Sequence, residues 1–79
     1  MGTHDWIKVI GSSQIEQYRF DESNLILEVE FKRGNARYIY HQVPLVIFEG
    51  MQAADSKGSF LNSNVKGTYE YTRLKEPVK

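Results

Sequence analysis

Pro44 divides this chain in two. Before it, apolar residues recur at every second position; after it, they recur at every third or fourth. Alternation belongs to a half-buried strand and the longer spacing to a helix with one covered side. A run of strands followed by helices is the pattern of an α+β domain. "LILEVEF" (25–31) is the clearest strand: Leu25, Leu27, Val29 and Phe31 share one face, and Ile26, Glu28 and Glu30 the other. "IEQYRF" (15–20) precedes it across the turn formers "DESN" (21–24), and "ARYIYHQV" (36–43) follows it across "KRGN" (32–35), where Gly34 can take a positive φ. These three make an antiparallel meander.

Proline has no amide hydrogen to give a central strand, but its fixed φ suits the start of a helix. From Pro44 the spacing predicts a helix over 44–54, with Val43, Ile47, Gly50, Met51 and Ala54 on one stripe and Phe48 beside it. Gly50 is expected where helix and sheet approach closely. Asp55 or Ser56 caps a second helix, "KGSFLNSNVKG" (57–67), with Phe60, Leu61 and Val65 inward and Gly67 as its stop. "TYEYTRL" (68–74) reads as a last strand or an extended tail. The fold expected is therefore α+β: a three-stranded antiparallel meander packed on two short helices, the pattern leaving open a fourth strand near Tyr69–Arg73. Residues 1–11 form a lead-in, 12–74 the domain and 75–79 a frayed tail.

Seventy-nine residues make one domain, which buries only roughly 60% of its unfolded surface. The 41% hydrophobic content still provides a core and argues against disorder. There is no cysteine, which excludes disulfides, thiolate metal sites and a cysteine nucleophile. No apolar run approaches the ~20 residues of a membrane helix. A cytoplasmic protein without a membrane partner is expected. Ten basic and ten acidic residues cancel, which argues against a generic duplex-DNA binder held by phosphate neutralisation. The charges are not evenly spread: Lys32, Arg33 and Arg37 fall together without an acid, and Lys57, Lys66, Arg73, Lys75 and Lys79 face only Glu70 and Glu76 from position 57 onward.

Catalytic signals are thin. "SNVK" (63–66) has a Ser-x-x-Lys spacing that a short polar stretch produces by chance, and its companion motifs are absent. His4 and His41 are the only histidines, with no second ligand at helical spacing, so no metal or other cofactor is expected. Lys57 and the backbone of "SKGS" (56–59) could meet an anion at a helix start; an ordinary inter-helix turn explains them better. Aromatic and basic residues interleave more distinctively. Tyr38 and Tyr40 follow Arg37, and "TYEYTR" (68–73) repeats the spacing with Tyr69, Tyr71 and Arg73. Residues two apart on a strand share a face, so each pair is an aromatic ledge. Unstacked bases bind such ledges while nearby cations take the phosphates. The same rings could instead cover the core with their hydroxyls at its rim, and that role fits the pattern better.

The order Tyr38-x-Tyr40, Val43-Pro44, Phe48, "AADSKGSFLN" (53–62), Val65 and Tyr69 resembles the KTSC domain, from about Ser12 to Leu74. That family takes its name from the C-terminus of some lysyl-tRNA synthetases and also occurs as stand-alone bacterial or phage proteins of unknown function. The resemblance implies that Tyr38, Tyr40, Ser56, Lys57, Gly58, Phe60, Asn62 and Tyr69 match family positions. Gly58 and Phe60 are then structural, Lys57 and Asn62 contact residues, and RNA the ligand suggested by the synthetase context.

Two functions are carried forward. The first is a small non-enzymatic RNA-binding module for single-stranded or tRNA-like ligands. Arg37, Lys57, Lys66 and Arg73 meet phosphates, Tyr38, Tyr40, Tyr69 and Tyr71 stack, and Tyr40→Ala weakens binding without unfolding. The second is a protein-interaction module, such as a phage-encoded modulator of a host protein or a homo-oligomer, for which an exposed Leu45 or Val46 would serve.

Overall fold

The computed structural model describes residues 5–12 and 14–74. His4, Lys75, Lys79, Glu76 and the expected tail lie outside the described residues. The sheet is larger than the alternation suggests. Strands β1 (Ile7–Lys8), β2 (Ile15–Asp21), β3 (Ile26–Phe31), β4 (Arg37–Tyr40) and β5 (Tyr71–Leu74) form one five-stranded antiparallel sheet in sequence order. The expected three or four strands become five because the lead-in pairs with β2 through Ile7 and Tyr18, and the last segment pairs with β4. Two residues of β1 carry no visible alternation, so the pairing was not legible.

Leu25 does not join the inward face expected of it. Asp21 Oδ1 accepts from the amides of Ser23 and Asn24 at 3.0 and 3.3 Å, folding a side-chain-stabilised turn. The turn closes with Leu25 in the left-handed region at φ 56°, 41% exposed. β3 begins one residue later, and its inward face is Leu27 and Val29, with Phe31 at the open end. At the next connection Gly34 takes φ 69° within a turn of 3-10 helix over Arg33–Asn35. β4 stops at Tyr40, short of the expected 43, because Gln42 turns left-handed at φ 58° and carries the chain over the sheet.

Two helices cover one face. α1 spans Leu45–Ala53, with Pro44 as its extended N-cap rather than its first helical residue; the Pro44 carbonyl accepts the first bond, from Ile47 at 3.0 Å. α2 spans Lys57–Asn64; Ser56 is its N-cap, with Oγ accepting from the Ser59 amide at 3.3 Å. It ends three residues before Gly67, which takes φ 81° in the turn leading to β5. Gly50 serves a close approach, but between helices: a Cβ there would stand 2.9 Å from Phe60 Cζ. Phe48 stacks on Phe20 at 4.9 Å between centroids and meets Tyr18 edge-on at 6.0 Å. Ile15, Leu27, Val29, Tyr40, Val43, Met51, Leu61 and Val65 complete the sealed core.

Candidate nucleic-acid interface

The helix-side face of the sheet extends past what the helices cover. There, β4 sets Tyr38 opposite Arg73 of β5 and Tyr40 opposite Tyr71. The Tyr38 ring stacks beside Tyr71 at 5.1 Å and Tyr40 at 6.2 Å and takes Phe31 edge-on at 5.2 Å. Cations stand over this row: the Arg73 guanidinium is 5.7 Å from the Tyr38 centroid, and Lys66 Nζ is 5.3 Å from that of Phe31. Phe31 and Tyr38 floor a groove of ≈ 540 Å³ whose rim carries Arg33, Lys66 and Arg73 and whose lining includes no carboxylate. A smaller hollow, ≈ 220 Å³, continues from Tyr38 toward Tyr71 and Gly67.

Not all the residues expected at an interface meet here. Tyr40 is 1% exposed and belongs to the core. Burial, and after it the neighbouring phenols of Tyr38 and Tyr71, pushes its hydroxyl up to about 12. A ring so buried makes a loss of stability the expected result of Tyr40→Ala, against the expectation that the substitution spares the fold. Arg37 points to the opposite face, as the residue next to Tyr38 must in a pleated strand. Its guanidinium lies 5.4 Å from the Trp6 ring, which also carries that of Arg19 at 4.4 Å. Its Nε is buried without a hydrogen-bond partner. Tyr69 precedes β5; its amide bonds the Val65 carbonyl at 3.1 Å, and its ring packs against the core, so it forms no strand ledge with Tyr71. Tyr71 is 56% exposed.

Lys57 is spent on structure. Its Nζ donates to the carbonyls of Gln52 and Ala54 at 3.2 and 3.0 Å, at the C-terminal end of α1 where a cation also complements the helix dipole. Asn62 is exposed on α2, away from the groove lining. Arg33 and Phe31 complete the groove and were not among the expected contacts. Arg33 carried a signal, as part of the acid-free cluster around Gly34; Phe31 was hidden by its place on the apolar face of β3. A second hollow, ≈ 430 Å³, lies between the β1–β2 link and the start of α2 with Lys8, Ser12, Asp55, Ser56 and Ser59 in its wall. It offers no aromatic ring. Among the described residues no three histidine, aspartate or glutamate side chains gather to hold a metal, and no helix is long and apolar enough to cross a membrane.

The sequence model of the KTSC domain matches residues 11–69. The chain belongs to the KTSC domain family. A protein of Tsukamurella paurometabola is 37% identical over 65 residues, which are 82% of this chain and 96% of that one. A lysine–tRNA ligase of Trichormus variabilis is 36% identical over 62 residues. Those cover 78% of this chain but 11% of the ligase, so the chain matches a small part of that enzyme. The crystal structure of a KTSC domain protein from Yersinia pestis superposes with a TM-score of 0.82 at 28% identity, over 89% of this chain and 96% of that one. The family thus occurs both as a small separate protein and as part of a tRNA ligase.

Proposed function

We propose that this KTSC domain is a non-enzymatic binding module of the cytoplasm that takes single-stranded RNA, including the unpaired ends and loops of tRNA-like molecules, in the Phe31–Tyr38 groove. The observation that carries this reading is the grouping of Arg33, Lys66 and Arg73 around an aromatic floor without a carboxylate, in a chain whose net charge is zero. Three cations beside stacked rings match the two needs of an unpaired strand: phosphate neutralisation and a flat surface for bases. A duplex keeps its bases stacked inside and cannot use the rings. The name lysine–tRNA ligase on related proteins supports RNA over other polyanions.

A titration with a short labelled single-stranded RNA, read by fluorescence anisotropy at low salt, tests the groove. Neutralising up to three phosphates gives a slope of log K against log salt of about −2. Loss of a stacking ring, at roughly 1–3 kcal/mol per base, makes Tyr38→Ala weaken binding about 5- to 150-fold. Combined Arg33→Glu, Lys66→Glu and Arg73→Glu substitutions abolish it. No binding by the unaltered protein to a panel of such RNAs overturns the reading.

A second reading, a protein-interaction module, is favoured by another corner of the molecule. Leu25, Leu45 and Val46 are 41%, 37% and 64% exposed. The Val43 amide ties the two connecting segments of this corner together by donating to the Leu25 carbonyl at 2.8 Å. Leu25 and Gln42 there hold the left-handed backbone that non-glycine residues seldom adopt. Capture of one protein from lysate after nuclease treatment, lost in Val46→Asp, supports this reading over the first.

A further inference from the structure

The two edges of the sheet differ. β1 ends the sheet with two residues and is followed by Gly11 at φ 85°. β5 ends it with four residues, all exposed, without proline or lysine. Proline and lysine are among the usual means by which an edge is kept from pairing, and β5 has neither.

The free backbone groups of β5 can be identified. The His41 amide donates to the Glu70 carbonyl at 2.9 Å, so these two form a hydrogen-bonded pair of the β4–β5 ladder. Such pairs alternate along an antiparallel ladder, which makes Ile39–Thr72 and Arg37–Leu74 the next ones. Tyr71 and Arg73 therefore turn their N–H and C=O groups outward, to the open edge.

We propose that β5 pairs antiparallel with β5 of a second copy of this chain, about a two-fold axis through Thr72, joining two sheets into one. The register follows from the outward groups. Among the described residues of β5, only Tyr71 and Arg73 can exchange bonds across the edge. Setting Tyr71 against Arg73 of the second copy uses both residues in both copies, each pair exchanging both of its N–H···O bonds. Setting Tyr71 against its own copy, or Arg73 against its own, uses only one of the two, and the latter brings like charges face to face. In the Thr72 register each guanidinium, already over Tyr38 of its own copy, also faces the Tyr71 ring of the other copy on the helix side. Zero net charge removes long-range repulsion between copies. The contact is narrow, below the roughly 1,000 Å² of a stable interface, and gives a weak dimer that half-associates on the order of 0.1–1 mM.

The chain has no cysteine, so Thr72→Cys adds a single thiol. At the dyad, facing Cα atoms of a non-hydrogen-bonded pair stand about 4.5 Å apart, within reach of a disulfide. Arg73→Cys in the same register lies roughly 9 Å from its copy and beyond that reach. Under mild oxidation Thr72→Cys is expected to become a covalent dimer and Arg73→Cys to remain largely uncoupled. Sedimentation of the unaltered protein without nucleic acid rises from monomer toward dimer between about 10 μM and about 1 mM. Arg73→Pro stays monomeric, because it removes an outward N–H and leaves the β4–β5 ladder whole; circular dichroism checks that the variants fold. A protein that sediments as a monomer throughout, a dimer indifferent to Arg73→Pro, or equal crosslinking of both cysteine variants overturns the proposal. No RNA is used, so the outcome is independent of the groove.

Discussion

Tyr38 and Tyr40 stand two residues apart on β4 and point to the same side, yet they belong to different parts of the molecule. Tyr40 lies in the sealed region, where α1 brings Phe48 and Met51 down onto the sheet beside Tyr18 and Phe20. Tyr38 lies just past the helices, half-buried, with Arg73 above it and Lys66 beside it. The residue type and the facing are the same. What differs is the reach of the helical layer, set by where Pro44 starts α1 and where the chain leaves α2 after Asn64. An aromatic pair on a strand is therefore core or contact according to what covers each ring, and one pair can be both.

The largest effect that would break this contrast is on stability. Tyr40→Ala removes a ring that is 1% exposed and is expected to cost about 3–5 kcal/mol. A domain of this size has roughly 4–12 kcal/mol in total, so the variant unfolds at far lower urea or not at all cooperatively. Tyr38→Ala, at a half-buried ring, loses less than about half as much. Equal urea midpoints for the two variants would mean that the helices do not divide the rings as described.

Alkaline titration is the next test, and the smaller one. The Tyr40 hydroxyl is raised to about 12 in the folded protein against 10.0 in the unfolded chain. The folded state thus holds its proton in a range where the unfolded state has lost it. Stability from this group is fully present below pH ~10 and declines as pH rises from there to about 12, by roughly 2–3 kcal/mol at ~1.4 kcal/mol per unit. Burial raises Tyr18 as well, in the same direction. Urea midpoints falling between pH 9 and 12, with the slope lost in Tyr40→Phe apart from a Tyr18 remainder, are expected. A flat profile would place water against Tyr40.

Much of the sealed half was legible in the sequence. Leu27 and Val29 showed their face by alternation, Met51, Leu61 and Val65 by helical spacing, and Ser56 by its cap chemistry. These signals are local. The open half was read less well, because it is made by residues far apart in the chain. Arg33, Lys66 and Arg73 come from a hairpin turn, a helix exit and an edge strand, and no periodicity links them. Arg37 was misplaced by attending to sequence neighbours: adjacency along a strand means opposite faces. Leu25 failed because turn chemistry at Asp21 overrode the alternation that continued through it.

Lys57 gives the finest test of the contrast, since by composition it looks like the cations of the groove. Its ammonium instead holds the last carbonyls of α1. Lys57→Met keeps the length of the side chain and removes those bonds and the charge at the helix end, and is expected to lower stability by about 1 kcal/mol. Its affinity for RNA should stay that of the unaltered protein. Lys66→Met should do the reverse, leaving the urea midpoint within about 0.5 kcal/mol while making the salt dependence of binding shallower by about 0.7 in slope. The crossing of the two readouts is the point of the pair. If Lys57→Met weakened RNA binding as much as Lys66→Met, the hollow at the start of α2 would belong to the interface, and the division between covered and open halves would have to be redrawn to include it.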